Sequence, residues 1–511
     1  MSAEPHPLPR AWKWVHLGEV SRLVTGGTPP GKEQGCYGGS IPFFKPTDLN
    51  AGRFVYEARQ SLSPFGAGFL DVVPAGSVLI TCIGATIGKV GLSAVAGATN
   101  QQINAVVPVE LDPAFLYWFV VSPSAQEWIA ENASATTLPI LNKSRLATMP
   151  IPLAPRAEQH RVAAKLDALH VRSRRAREAL AAVPPLLEKL RQSILAAAFR
   201  GDLTKDWRAK NKNIEPATEL LKRIRIERRQ KWEQAELAKL KAKGKTPTDD
   251  RWKAKYKEPE PVDTKGLPEL PEGWCWATLG ELAWDAGYGT SAKCDYEGKG
   301  VAVLRIPNIA RGLVDLSDVK RAAVVRDEGA MLVVPGDLLI VRTNGSRDLI
   351  GRAAVIVDEP NEPTSFASYL IRFRLIMERQ LPAWVARYWQ SPFVRGQIEA
   401  QAASSAGQYN VSLGELSQCP VPVAPSEEQS LVLGLVEALL APRMNAERAL
   451  RELLQKFGSL EQSVLAKAFR GQLLPQDPND APVSPQTQPA PTPSAQLRSK
   501  APIKKNAKNR S

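Results

Sequence analysis

The chain has 511 residues, 44% of them hydrophobic, with a net charge of +14 and a pI near 9.5. That length gives room for two to four domains with their own cores, and no run approaches the ~20 apolar residues of a membrane-spanning helix, so the expectation is a soluble, cytoplasmic protein with no membrane partner. Five cysteines in no CxxC pair argue against a zinc site and a disulfide framework, and the sustained positive balance favours a polyanion, nucleic acid first, with plain solubility as the alternative.

From about residue 10 to 155, short apolar runs bounded by Gly and Pro predict strands: SIPFFKPTDL (40–49), GSVLITCIG (76–84), KVGLSAV (89–95) and INAVVPV (103–109). Residues 113–133 open on Pro113 and predict a helix. A long helix follows, in which Val162, Leu166, Leu169, Ala176, Leu180, Val183, Leu187, Leu190 and Ile194 recur at alternating steps of four and three, broken only by Ser173. Pro184 and Pro185 predict a kink or split within it. Residues 217–245 are strongly charged and read as a solvated helix, or else as an arm that docks protein or tracks phosphate. A Pro-rich linker (257–273) comes next.

The order of the first domain then returns between 267 and 424, with GDLLIVRTNG (336–345), AAVIVDE (353–359), SYLIRFRL (368–375) and a helical PAWVARYWQSP (382–392). A second seam, Val432, Val436, Leu439, Ala446, Leu450, Leu453, Phe457, Leu460 and Val464 with Arg443 at its break, coincides with the first at an offset of 270. A 3.5-residue seam held this long predicts coiled-coil pairing of the two helices rather than packing of each on its own domain. After about residue 476 Pro, Ser and Gln, then Lys and Arg, predict a disordered basic tail.

The two halves share their ends and little between. LPRAWKWVHLGEV (8–20) returns as LPEGWCWATLGEL (270–282), MPIPLAPRAEQ (149–159) as CPVPVAPSEEQ (419–429), and SILAAAFRGDL (193–203) as SVLAKAFRGQL (463–473). Such a chain predicts two similar scaffolds related by pseudo-symmetry, each displaying its own surface.

Groups for catalysis are missing from the pattern. The four histidines, His6, His16, His160 and His170, have no metal-ligand spacing and no evident nucleophile. There is no phosphate-binding loop, no GxGxxG after a strand, and no Asn-Pro-Pro-Tyr or Asp-Pro-Pro-Tyr run. Asp295, Glu297 and Lys299 come nearest to a nuclease signature, but they crowd one turn-like stretch instead of lying across a strand. The chain reads as a binding protein.

The W.W..LGE opening, the PIP.AP..EQ run and the AFRG.L close, each present twice and in order, make the chain from about Trp12 to Leu473 resemble the DNA-specificity subunit of type I restriction-modification enzymes. The resemblance implies an α+β fold: two mixed α/β target-recognition domains separated by two long helices forming an antiparallel intramolecular coiled coil. The divisions fall at 1–155 and 267–424 for the domains, 156–203 and 425–475 for the spacer helices, 204–266 for the charged insert and linker, and 476–511 for the tail. It further implies a non-catalytic subunit that recognises a bipartite target in double-stranded DNA and docks two modification (methyltransferase) subunits and motor-nuclease restriction subunits. No cofactor is expected on this chain; S-adenosylmethionine, Mg and ATP are expected on the partners. The insert and the basic tail depart from the simplest pattern of the family.

Readers of two half-sites must stand about one helical turn, ~34 Å, apart, and a helix of some 40 residues is about 60 Å long. The helices therefore read as a ruler, and a short insertion between Leu203 and Trp207 is expected to change only the unread spacer. Base edges call for Arg or Lys on guanine and Asn or Gln on adenine. Candidates in the first domain are Lys45, Thr47, Thr86, Lys89, Asn100, Gln101 and Gln102. In the second they are Arg305 and Asn308, placed like Lys45 and Thr47 about Pro307 and Pro46, with Arg342, Asn344, Arg347 and Arg352 of RTNGSRDLIGR. About half of these are expected to touch only phosphate, or nothing. Asn104 and Arg372 lie within apolar strands and read as structural. The alternative, a stand-alone architectural DNA-binding protein, gives no reason for two divergent domains on matched frames. An RNA-binding protein calls for aromatic platforms, against an aromatic share of 7%.

Overall fold

The computed structural model describes residues 6–31, 33–134, 139–309, 312–323, 331–377, 380–401, 403–405 and 407–483. The chain divides into two compact units, Met1–Leu180 with Arg451–Ser511, and Ala181–Leu450. Both divisions cut the long helices. Each unit therefore holds one mixed α/β domain, part of the first long helix and part of the second.

In the first unit the strand Lys13–His16 pairs antiparallel with Pro150–Leu153, Lys13 opposite Leu153 and His16 opposite Pro150. Between these ends lies a five-stranded sheet in the order Ser21–Thr25, Ile103–Pro108, Val78–Thr81, Val90–Ser93, Phe54–Val55, with a three-stranded sheet Ser61–Leu62, Tyr37–Phe44, Ala98–Thr99. Val78–Thr81 is buried at every position, which is why its sequence shows no polar alternation. The helix expected over 113–133 is two helices, Pro113–Val121 and Pro123–Asn132. Ser122 stands between them in extended conformation, because the Pro123 ring disfavours a helical residue before it and suits the first turn of a new helix.

The second unit repeats this plan. Cys275–Thr278 pairs with Pro420–Val423 in the same four-residue register. The sheet Ala283–Tyr288, Leu370–Leu375, Asp337–Val341, Ala353–Val355 keeps the order of the first unit without its last edge strand, and Lys320–Ala322, Val301–Leu304, Thr364–Phe366 matches the smaller sheet. A third sheet, Thr343–Asn344, Gln408–Asn410, Ala403–Ser405, stands where the first unit has the single bridges of Ile140 to Ile83 and Ser134.

The charged segment is more than a solvated helix. Its helix Ala217–Ala242 buries Ala217, Leu220, Leu221 and Ile224 in one core with Trp274, Ala277, Leu279 and Leu282. Steps of three, one and three put those four residues on one stripe, which the surrounding Lys and Arg hide from a composition-based reading.

The first long helix splits at Ala182 into Arg156–Ala181 and Val183–Phe199, just ahead of Pro184 and Pro185. Its seam positions are buried or half-buried except Leu190. The second runs unbroken as Ser426–Phe469, with Pro442 inside it. In the first unit Ser173 and Arg177 donate to Glu461, and Val162 and Leu166 cluster with Leu465. In the second Arg443 pairs with Glu188 at 3.3 Å, and Leu195 clusters with Val436. Rising numbers on one helix meet falling numbers on the other in both units, so the pairing is antiparallel. The second seam needs correction at Leu439, Leu453 and Leu460, which are exposed, while Leu440 is buried and Glu461 half-buried at the next position. An α-helix of 3.6 residues per turn drifts by ~20° per heptad against a 3.5-residue seam.

Residues 476–483, the head of the tail expected to be disordered, lie against the first unit. Asp480 pairs with Arg161, Gln476 Nε2 donates to Glu158 Oε1 at 2.6 Å, and the Val483 N–H donates to the Ala11 carbonyl at 3.3 Å. Residues 484–511 are outside the described residues.

Candidate nucleic-acid interface

The repeated motifs build one frame twice. Trp12 Nε1 donates to Glu158 Oε2 and Trp274 Nε1 to Glu428 Oε2, each at 2.8 Å. Both carboxylates are out of solvent, Glu158 1% and Glu428 0% exposed, so the indole and its neighbours must satisfy them. Gln159 and Gln429 turn their amides back onto the carbonyls of Ala154 and Ala424, at 2.9 and 2.8 Å. The AFRG run closes the frame. Phe469 meets Phe115 and Phe119 edge-on in the first unit, and Phe199 meets Trp384 and Tyr388 in the second. Gly471 and Gly201 follow with φ of +68° and +76°, ending their helices in the left-handed conformation. A Cβ would come within 2.2 Å of Pro9 Cγ at the first and 2.5 Å of Pro271 Cγ at the second, so glycine is required at both for two reasons. The close of each sequence half thus locks the domain of the other half.

With the frames fixed, the loops between them differ. In the second unit the Arg342 guanidinium lies over the Tyr288 ring, 4.8 Å from its centre, and donates to Asn410 Oδ1 at 3.3 Å. Its Nε is buried with no hydrogen-bond partner among the described residues. Beside it a groove of about 240 Å³ is lined by Ile306, Thr343, Asn344, Gly345, Tyr369 and Gln408. Asn344 Oδ1 accepts the Ser346 N–H at 2.7 Å, which shapes the loop. Arg347 and Arg352 are exposed and donate to the carbonyls of Glu399 and Asp348. The structure therefore adds Tyr288, Tyr369, Gln408 and Asn410 to the residues legible in sequence. Gln408 and Asn410 were traceable: Asn410 lies 270 residues after Ile140, whose bridge to Ile83 holds the matching loop of the first unit.

Arg305 and Asn308 play another part. Asn308 is buried; its Oδ1 accepts the Arg305 N–H at 2.8 Å, and its Nδ2 donates to the carbonyls of Asp315 and Asp318. In the first unit Asp48, not Thr47, accepts the Lys45 N–H at 2.8 Å, so the hydrogen-bond match to Asn308 is Asp48. Arg305 lies over Tyr296 and 3.5 Å from Asp318. Arg372 is buried and paired with Asp285, and burial pushes its guanidinium pKa down; Asn104 donates to the Leu141 carbonyl at 3.4 Å.

The first unit brings Lys45, Thr47 and Lys89 together. Lys89 Nζ donates to the Pro46 carbonyl at 2.7 Å, Lys45 Nζ donates to Gln60 Oε1 at 2.7 Å, and Thr47 and Thr86 are exposed. Asn100 is buried and locked to Gln102, donating from Nδ2 to its Oε1 at 3.0 Å. That leaves Gln101, exposed and accepting from Thr28 Oγ1 at 2.5 Å, as the outward member of the trio. No group of three potential metal-ligating side chains occurs among the described residues. Burial pushes the Cys82 and Cys275 thiols up to about 11 and Cys419 up to about 12, which makes all three poor nucleophiles near neutrality.

Residues 9–176 match the family model described as the type I restriction modification DNA specificity domain. The specificity subunit of the type I restriction enzyme EcoDI of Escherichia coli is 25% identical over 483 residues, covering 92% of this chain and 90% of that protein. The EcoKI specificity subunit of Escherichia coli K12 is also 25% identical, over 71% of this chain and 66%, just under two-thirds, of its own length. Among solved structures, one reporting complex assembly and conformational transition of the type I restriction-modification system superposes with a TM-score of 0.65 at 19% identity, over 92% of this chain and 100% of that chain. With its frame motifs doubled, the chain is similar in sequence to type I restriction-enzyme specificity subunits and shares its fold with that solved structure.

Proposed function

We propose that each unit reads one half of a split sequence in double-stranded DNA, and that the chain itself makes and breaks no bonds. Two modification subunits carrying S-adenosylmethionine dock on it and methylate adenine, a base that must be flipped from the stack for the reaction. Motor-nuclease subunits using ATP and Mg join them, and the complex works in the cytoplasm. The observation that carries this reading is the pair of matched frames, Trp12–Glu158 and Trp274–Glu428, holding unlike loop faces. A stand-alone basic DNA-binding protein gains nothing from such a division.

In the second unit Arg342 is the guanine reader. Stacking on Tyr288 uses one face of its guanidinium and leaves an edge for base contact. Asn344, Gln408 and Asn410 offer amides for adenine beside it, while Arg347 and Arg352 reach phosphate. Lys45, Thr47, Thr86, Lys89 and Gln101 form the corresponding set in the first unit. The test is methyl transfer to genomic DNA, followed by sequencing of the modified positions. The chain with modification subunits and S-adenosylmethionine is expected to mark one two-part motif with a fixed unread spacer. Methyl transfer by the purified chain alone, or a continuous motif, would refute the reading.

A further inference from the structure

The helix Ala217–Ala242 is fastened to the second unit only along its first turns. After the buried stripe ending at Ile224, Arg225 pairs with Glu281 at 2.6 Å, and Arg228 Nε donates to the carbonyls of Gly280 and Ala283 at 3.2 and 2.9 Å. Beyond Arg228 the side-chain partners among the described residues come from the helix itself and from the returning chain. Trp232 stacks on Trp252 and meets Tyr256 edge-on, and Lys253 lies 3.7 Å from Glu233. From Arg228 to Ala242 the helix rises about 21 Å at 1.5 Å per residue, so a stiff arm leaves an anchored base.

The charge on this arm is sorted. Residues 237–257 hold eight basic and two acidic residues, a net +6 within a chain of +14. Both acids are already engaged, Asp249 with Arg251 at 2.6 Å and Asp250 with Lys253 at 3.1 Å. Lys239, Lys241, Lys243, Lys245, Lys255 and Lys257 are exposed and make no ion pair among the described residues. A helix that only needs solvating mixes its signs along its length; this one concentrates unpaired ammonium groups at the free end. The tip offers no Asn or Gln to read a base edge, and its tryptophans stack on each other instead of forming a platform for single-stranded bases.

We infer that this arm grips the phosphate backbone of duplex DNA beside the sequence read by the second unit, adding affinity without sequence preference. The inference rests on the specificity-subunit reading above. Lysines at a phosphate backbone act as point charges that release condensed counterions, so their contribution appears in the salt dependence of binding. The test replaces Lys239, Lys241, Lys243 and Lys245 with Gln in the full chain. Kd is measured across a potassium chloride series on a 40-base-pair duplex with the methylated motif and on one without it, with modification subunits present. A control carries Gln at four exposed lysines of the long helices, Lys165, Lys189, Lys456 and Lys467.

The arm variant is expected to lower the slope of log K against log salt by up to ~3.6, about 0.9 for each phosphate no longer neutralised. The loss should be equal on both duplexes, with the methylated motif unchanged and the control keeping its slope. An unchanged slope in the arm variant overturns the inference, as does an equal fall in the control, which would make the effect one of net charge. Lost co-purification with modification subunits at unchanged slope would make the arm a protein dock instead. Failure of the unaltered complex to bind either duplex would remove the specificity-subunit reading itself.

Discussion

Phe199 ends the long helix of the first sequence half, yet its ring is a core element of the second unit, 4.9 Å from the Trp384 ring and 5.1 Å from Tyr388. Those two side chains in turn donate to the closing strand, Trp384 Nε1 to the Pro422 carbonyl at 2.6 Å and the Tyr388 hydroxyl to Pro420 at 3.0 Å. Phe199→Ala removes a buried aromatic from the middle of this stack. Such a truncation costs ~3–5 kcal/mol, including the edge-on ring interactions. At 1.4 kcal/mol per tenfold, amide protection in 381–389 and 420–423 should fall by roughly 10²- to 4 × 10³-fold. Phe469→Ala should do the same to 113–121, through Phe115 and Phe119, and spare 381–389. Hydrogen exchange read by mass spectrometry on the full chain resolves the two. The reasoning fails if Phe199→Ala leaves 381–389 as protected as before, or if it loosens 113–121 to the same degree.

Replacing Arg342, Asn344 and Arg347 together should alter or abolish one half of the methylated motif and leave the other half unchanged, at ~1–3 kcal/mol for each bidentate base pairing removed; a change in both halves would show that the units do not read independently. The segment between Leu203 and Trp207 is not a free hinge, because Thr204 Oγ1 donates to Glu428 Oε1 at 2.6 Å and Arg208 Nη2 to the same oxygen at 2.8 Å. A helical insertion there pulls these donors from a buried carboxylate, a loss of ~3–5 kcal/mol for the broken pair, so it should lower the melting temperature before it lengthens any spacer; an insertion variant with unchanged melting and a longer spacer would restore the simple ruler. The raised thiol pKa values predict slow alkylation. With Cys82 and Cys275 at about 11, roughly a thousandth of each is thiolate at pH 8, and the fraction rises about tenfold per pH unit until the pKa is reached. Iodoacetamide mapping at pH 8 should label half-buried Cys294 first, and prompt labelling of Cys82 would contradict its burial.

The frame was legible in the sequence because its residues act on neighbours that are also repeated. Trp12 and Glu158 recur as Trp274 and Glu428, so the repeat singles out all four residues, though not the hydrogen bonds that join them. What the repeat did not carry was the partner of each closing motif. Nothing in AFRG indicates that Phe199 belongs to the domain that follows it, because that contact is made by Trp384 and Tyr388, whose counterparts in the register of Pro113 and Pro382 are Phe115 and Phe119, aromatic but not the same letters. The faces proposed to read bases were half legible for a related reason. Loop residues such as Arg342 and Asn344 could be chosen by type, but type does not separate an outward amide from one spent on the fold. Asn308 and Asn100 have the chemistry of adenine readers, and their amides hold turns instead. Gln408 and Asn410 were overlooked because they come from a hairpin 64 residues or more beyond Asn344, joined to it only by strand pairing. The charged helix shows the converse: its stripe at 217, 220, 221 and 224 obeys the helical period, but ten basic residues between 217 and 245 outweigh four apolar ones in any composition-based reading. Periodicity within that segment, not its charge, decides where the helix sits, and the charge is then left for whatever its free end meets.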